Sequence, residues 1–336
     1  MIKEAMLYEK LDGGKVHCYL CSHHCSVLLG KFGICGVRKN IYGKLHTAVY
    51  GDVIAAHVDP IEKKPLYHFF PGSVSYSIAT IGCNFKCAFC QNWEISQLSK
   101  IGGGAASEKE FTPKDIVSRA KKSGCKSISY TYTEPTIFFE YAYDIAKLAK
   151  EQGLYNNFVT NGYMTKKALE AIRPYLDSAN VDLKGFSQEF YSRFCKARLK
   201  PVLENIKTMK GLGIWVEITT LIIPGQNDSE KELSSIAEFI ASVGIEIPWH
   251  VSRFHPDYKY LDSGPTPVET LKKAGAIGKK AGLRYVYFGN IQEGNDTYCY
   301  DCGSLLIKRI VFDVVENNLN NGKCRKCGAE IDGIFS

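Results

Sequence analysis

Three cysteines stand in C-x3-C-x2-C spacing within the run Ile81-Gly82-Cys83-Asn84-Phe85-Lys86-Cys87-Ala88-Phe89-Cys90-Gln91-Asn92, with Phe89 immediately before the third. Three thiolates from one tight loop can hold three irons of a [4Fe–4S] cube and leave the fourth iron without a protein ligand. An open iron suits a centre that binds a substrate or cofactor at the metal, whereas a pure electron carrier takes four cysteines. The competing reading is a zinc knuckle, which needs a fourth Cys or His nearby. None follows closely after Cys90.

Two further cysteine sets have the spacing of metal ligands. The tail carries Cys299-Tyr300-Asp301-Cys302-Gly303 and Cys324-Arg325-Lys326-Cys327-Gly328. In each, the glycine permits the tight turn that aims backbone amides at sulfur, as in a zinc ribbon. Four thiolates leave no open coordination position, so the expected ion is structural zinc, with rubredoxin-like iron as the alternative. Near the N-terminus, Cys18, Cys21, Cys25 and Cys35 offer four thiolates either to zinc or to an auxiliary Fe–S cluster. His17, His23 and His24 lie beside them and could replace a cysteine, or be exposed loop residues. Of thirteen cysteines, only Cys125 and Cys195 fall outside these sets, and both are expected to be packing residues.

The elements that must position the central loop follow from periodicity. Ser75–Thr80 reads as a strand running into the loop. Strand patterns recur at 126–132, 155–160, 178–183, 214–222, 248–253 and 284–288, separated by amphipathic helices near 113–123, 136–152, 165–173, 198–211, 229–243 and 267–281. Thr112-Pro113, Ser229-Glu230 and Thr266-Pro267 give sensible helix starts. About six βα units on one sheet imply an α/β fold, a partial (β/α)6 barrel, with chemistry at the C-terminal strand ends. The division expected is a Cys-rich module over 1–74, the barrel over 75–293 and a zinc-ribbon-like tail over 294–336. Leu45–Tyr50, Val53–His57 and Ser304–Val315 read as strands outside the barrel.

Polar groups fall at five of the expected strand ends. Thr131-Tyr132-Thr133-Glu134-Pro135 places a carboxylate where it can accept from an ammonium group. Thr160-Asn161-Gly162 closes the third strand. Asp182 and Lys184 share a strand face, either as an ion pair or with Lys184 turned to an anionic ligand in the cavity. Thr219–Gly225 and Arg253-Phe254-His255-Pro256 follow the next strands.

The formal charge is +7 with every cysteine neutral. Two four-cysteine zinc sites and a three-thiolate cube would bring it to about +2. The lysines are scattered, without a basic block or an interleaved aromatic stripe, so a nucleic-acid partner is not expected. No apolar run reaches the length of a membrane span, and the N-terminal residues lack a signal core. Metal-type cysteine sets without an export signal imply a reducing, cytoplasmic setting.

With these residues in place, the chain resembles radical S-adenosylmethionine (SAM) enzymes of the branch that contains glycyl-radical-enzyme activases. The cysteine loop with Phe89, the TYTEP strand end, TNG, VDLK and IIPG carry that resemblance. Asp59-Pro60-Ile61-Glu62-Lys63-Lys64-Pro65-Leu66, Phe70-Pro71-Gly72, Cys90–Gln97 and the two flanking four-cysteine sets narrow it to the AmmeMemoRadiSam-system radical SAM proteins. The resemblance implies that Cys83, Cys87 and Cys90 hold a [4Fe–4S] cluster. It implies that Glu134, Asn161, Asp182, Lys184 and His255 line a SAM pocket, with Phe89 near adenine. It also implies an electron donor such as flavodoxin or ferredoxin, and Memo-like and AMMECR-type pathway partners. Where the common pattern has Gly-Gly-Glu-Pro this chain has Tyr132-Thr133-Glu134-Pro135, so only the acid and the proline carry over. The activity implied is reductive cleavage of SAM. The alternatives are activation of a glycyl radical enzyme and a non-catalytic metal-binding adaptor.

Overall fold

A computed structural model describes residues 1–101 and 110–335. Its centre is an eight-stranded sheet of β1 (Ala55–Pro60), β2 (Val74–Ala79), β3 (Ser127–Tyr130), β4 (Tyr155–Thr160), β5 (Ser178–Asp182), β6 (Trp215–Ile222), β7 (Trp249–Arg253) and β8 (Val286–Gly289). The strands lie in strict chain order. All neighbours from β2 to β8 are parallel, as expected when each strand is followed by a crossover. The antiparallel β1 was legible as a short strand, but not as part of this sheet. It pairs with β2 from Ala55↔Ala79 to Pro60↔Val74, so the sheet reaches back across residue 74.

Apolar spacing marks the helices, and side-chain capping marks the starts of some of them. They are α1 (Trp93–Ile101), α2 (Pro113–Lys122), α3 (Phe139–Glu151), α4 (Lys166–Ile172), α5 (Leu199–Gly211), α6 (Glu230–Val243) and α7 (Val268–Lys280). Thr112 and Asp115 make a reciprocal capping box around Pro113 at the start of α2, while Thr165 and Ser229 cap α4 and α6. In α6, Leu233, Ile236, Ala237 and Ile240 are buried at i, i+3, i+4 and i+7, the stripe a helix lays on a sheet. Helix α7 approaches β8 so closely that a Cβ on Gly278 would stand 2.8 Å from Val286. Helix α1, directly after the cysteine loop, was not foreseen.

Small sheets flank the centre. The N-terminal segment folds into two three-stranded antiparallel sheets, one of which places Cys18 opposite Cys25. In the tail, the stretch read as one strand over 304–315 is a hairpin of Leu305–Ile310 and Asp313–Asn317, turning at Val311-Phe312. The segment between β1 and β2 crosses the end of the sheet where the parallel strands begin. Phe69 and Phe70 pack there against Tyr155 and Trp215, the first residues of β4 and β6. Glu217 of β6 accepts the backbone N–H groups of Tyr67 and His68. This end is therefore plugged.

Arg309 of the tail stands between the two edges of the sheet. It packs over Tyr67 and Tyr287 of β8, donates to the Tyr67 carbonyl and pairs with Glu62, just past β1. Among the described residues, no helix is long and apolar enough to cross a membrane.

Candidate functional site

A cavity of about 760 Å3 opens at the C-terminal strand ends. Cys83, Cys87 and Cys90 line it together with residues from every parallel strand end, from Thr131 after β3 to Gly289 in β8. Strand ends from both sides of the sheet can share one cavity only because the sheet curves.

The cysteine loop is held from several directions. Gly82 N–H donates to the Ile95 carbonyl, Lys86 N–H to Cys195, and Ala88 N–H to Phe194. The Phe85 amide points at Cys83 Sγ from 3.3 Å, and Ser96 Oγ lies 3.3 Å from Cys90 Sγ. Amides and hydroxyls aimed at sulfur stabilise thiolate, the form that binds iron. Cys195 is fully buried, and its thiol, ahead of burial itself, pushes Cys87 well up. Phe89 is buried against Phe190 and lines the cavity.

Glu134 is buried at the end of the β3 segment, where it caps the turn Pro135–Phe138. Oε1 accepts from Thr136 and from Thr160 Oγ1 at 2.8 Å, and Oε2 accepts the Asn161 N–H at 2.8 Å. Burial pushes this carboxyl up, opposed by those hydrogen bonds. Oε2 keeps room for one more donor. The Asn161 side chain donates to Asn84 Oδ1 at 2.7 Å, while its own Oδ1 is buried without a partner among the described residues. Gly162, at φ 67°, allows this turn, and a Cβ there would stand 2.8 Å from Val181.

Asp182 and Lys184 both line the cavity and pair at 2.8 Å. Burial pushes Lys184 down, and the Asp182 carboxylate with the Cys87 and Cys195 sulfurs more than offsets it. His255 is placed differently from expectation. It is exposed on the loop beyond β7 and does not line the cavity. The histidine that does is His250, inside β7 and bonded to Glu217 at 2.7 Å.

Sequence reasoning missed other lining residues. Asn92 donates to the Tyr132 carbonyl, and Tyr132, at φ 62°, donates its hydroxyl to Asp59. Asp59 also pairs with the buried Lys64 at 2.7 Å, and burial, opposed by Asp59, pushes Lys64 down to about 8. The signal was present in the Asp59–Leu66 motif, where two lysines and two acids lie beside an apolar run.

The three cysteine sets differ in spread. Cys299, Cys302, Cys324 and Cys327 bring their sulfurs within 4.8 Å of one another, with separations of 3.6 and 3.7 Å across two pairs. Tetrahedral zinc with bonds of about 2.3 Å needs sulfurs about 3.8 Å apart, so this set can bind one metal ion. Among the described residues no other set is so compact. The sulfurs of the Cys83 loop are thus spread too far for a single ion, which suits the corners of a cube. Their cavity presents a carboxylate, an unpartnered amide oxygen and an amine to a ligand at an open iron. That donor set fits the cluster and SAM that the loop implies.

The radical SAM superfamily profile matches residues 77–237. A protein of Methanocaldococcus jannaschii named as uncharacterized is 46% identical across 99% of this chain and 100% of its own length. The pyruvate formate-lyase-activating enzyme of Clostridium pasteurianum is 24% identical over 57% of this chain and 84% of its own. Among solved structures, a radical SAM methyltransferase from Sphaerobacter thermophilus matches with a TM-score of 0.51 and 17% identity, over 70% of this chain and 71% of that one. That last likeness is one of fold.

Proposed function

We propose that this chain, whose residues 77–237 match the radical SAM superfamily profile, is an enzyme that reductively cleaves SAM in the cavity above β2–β8. The observation that carries this reading is that Cys83, Cys87 and Cys90 line the same cavity as Glu134 and Asn161. When bound, the cluster supplies one electron and an open iron, and SAM supplies the C–S bond that breaks to give methionine and a 5′-deoxyadenosyl radical.

The residues of the chain bind and orient. Glu134 Oε2 and Asn161 Oδ1 are acceptors for the SAM ammonium group. Lys184 is held charged by Asp182 and faces a carboxylate. Phe89, with Phe190 behind it, gives the adenine an apolar wall. The plugged lower end of the sheet keeps water and stray hydrogen donors from the cavity. No general base is assigned, since proton transfer does not begin this chemistry.

The finer placement is the AmmeMemoRadiSam system, supported by the Asp59–Leu66 and Cys90–Gln97 segments and by the flanking cysteine sets. On that reading the enzyme takes electrons from a flavodoxin or ferredoxin, works in one pathway with Memo-like and AMMECR-type proteins, and carries structural zinc in its tail. The likeness to a pyruvate formate-lyase-activating enzyme supports a second reading, activation of a glycyl radical enzyme.

Anaerobic reconstitution with iron and sulfide, followed by SAM and dithionite, tests the proposal. Release of 5′-deoxyadenosine that is lost in Cys83→Ala is the expected result. A fully loaded cluster that releases none would sink it.

A further inference from the structure

The N-terminal set Cys18, Cys21, Cys25 and Cys35 lines a small cavity of its own, with Arg38, Thr136 and Ile137 around it. Cys18 and Cys35 are buried, and Cys21 and Cys25 partly so. Two metals compete for such a set, and the chain contains a comparison for each. The tail sulfurs gather to the spacing one ion requires, whereas the Cys83 loop, which the family assigns to a cube, does not. No three of the N-terminal sulfurs lie within 4.8 Å of one another, as all four tail sulfurs do. In spread, this set falls with the cube.

A second observation points to an anionic centre here. Arg38 is buried with only 2% of its surface exposed, and its Nη2 donates to Glu140 Oε1 at 2.8 Å and to the Met6 carbonyl. Its Nε and Nη1 have no hydrogen-bond partner among the described residues, although they are buried beside the cavity. Unpaired N–H groups of a buried cation are costly, and four thiolates around a cluster carry the charge that would receive them. The backbone amides of His23, Ile34 and Val37 also face Cys21, Cys25 and Cys35.

A third observation concerns position. Cys21 pairs with Met164 in an isolated bridge, and Ser22 N–H donates to the Tyr163 carbonyl at 2.9 Å. His23 Nε2 lies 2.8 Å from the carbonyl oxygen of Asn84, the residue after Cys83. The chain between the two cysteine sets is therefore short and packed, running through Cys21, Ser22 and His23 to Asn84.

We infer that Cys18, Cys21, Cys25 and Cys35 hold a second [4Fe–4S] cluster, balanced by Arg38, which relays electrons through the His23–Asn84 contact to the Cys83 centre. With four cysteines it has no open iron and takes no substrate, as befits a carrier. One electron enters from a low-potential one-electron donor and one leaves for the Cys83 centre, with no bond made or broken. The relay rests on the function proposed above, while the site does not.

The test uses the full chain, reconstituted anaerobically with iron and sulfide. Wild type is expected to hold about eight irons, and Cys83→Ala/Cys87→Ala/Cys90→Ala about four, with an EPR signal on reduction that SAM leaves unchanged. A triple variant that holds no iron overturns the inference, and about two zinc ions per chain in wild type would identify the occupant instead. In Cys18→Ala/Cys35→Ala, 5′-deoxyadenosine release is expected to fall about tenfold with reduced flavodoxin and less with dithionite. An equal loss with both donors overturns the relay. Iron in the triple variant without SAM cleavage by wild type would leave the site standing and remove the proposed function.

Discussion

Glu134 Oε2 accepts the backbone N–H of Asn161 at 2.8 Å, so one buried carboxylate joins the ends of two neighbouring strands. Its other oxygen takes Thr136 and Thr160. In Glu134→Gln an amide N–H2 must face donors that now meet a carboxylate. The charge-assisted interaction offered to SAM is also lost, worth about 1.5–3 kcal/mol. SAM affinity of the reconstituted protein is expected to fall at least about tenfold, with a lower melting temperature. Equilibrium dialysis against SAM and a thermal melt measure the two effects separately.

Gly162→Ala tests the turn beneath Asn161. The residue has φ 67°, and the added Cβ would press on Val181 at 2.8 Å and on Val202 at 3.3 Å. Backbone strain and overpacking together are expected to destabilise by about 1–3 kcal/mol. Urea denaturation gives the value, and an unchanged midpoint would contradict the geometry.

His68 gives the protein a defined acid sensitivity. Its Nε2 meets Tyr287 Oη and its Nδ1 meets the Asp332 carbonyl, both at 2.6 Å. Burial, opposed by Glu217, pushes it down to about 4 from an ordinary value of 6.5. A folded value below the unfolded one means the unfolded chain binds more protons between these limits. The contribution, on the order of 3 kcal/mol, is therefore whole above pH 6.5 and lost as pH falls towards 4. Glu217 is held below its usual range by the His250 hydrogen bond, against its burial, so its share is lost at still lower pH. Melting temperatures across this window should fall steeply in wild type and less steeply in His68→Gln.

Cys327→Ser tests the tail as a metal site whose loss acts locally. Ser304 Oγ, 3.4 Å from Cys324 Sγ, leads the groups that pull this thiol down. Cys327→Ser is expected to remove about one zinc ion per chain and to raise amide exchange across 297–335. Exchange in β2–β6 should be unchanged. A variant that retains its zinc would remove Cys327 from the ligand set.

Periodicity revealed the parallel strands and their helices because each buries an apolar face of the expected period. It could not show that Ala55–Pro60 extends the same sheet, since an edge strand's partner is set by tertiary contact. Asp182 and Lys184 line one cavity and pair with each other, although Lys184 lies two residues beyond the end of β5. His255, expected at the pocket from the resemblance, lies on the exposed loop beyond β7, while His250 lies within the strand. Glu217 offered an unused signal. A lone acid inside the buried strand Trp215–Ile222 must find buried partners, and it finds His250, Trp215 and two backbone amides. The contact of Cys195 with the cysteine loop joins residues more than a hundred positions apart, which local pattern does not record.

The ion pair of Arg309 with Glu62 spans 247 positions, and both side chains are fully buried. A ribosome adding about 5–20 residues per second needs roughly 12–50 s to pass from one to the other. Throughout that interval Glu62 has emerged without its cation, and Tyr67 without the guanidinium that covers its ring. The seam between the sheet's two edges is thus closed only long after the strands on either side of Glu62 have been made. Truncation before Arg309 would leave Glu62 buried without its cation.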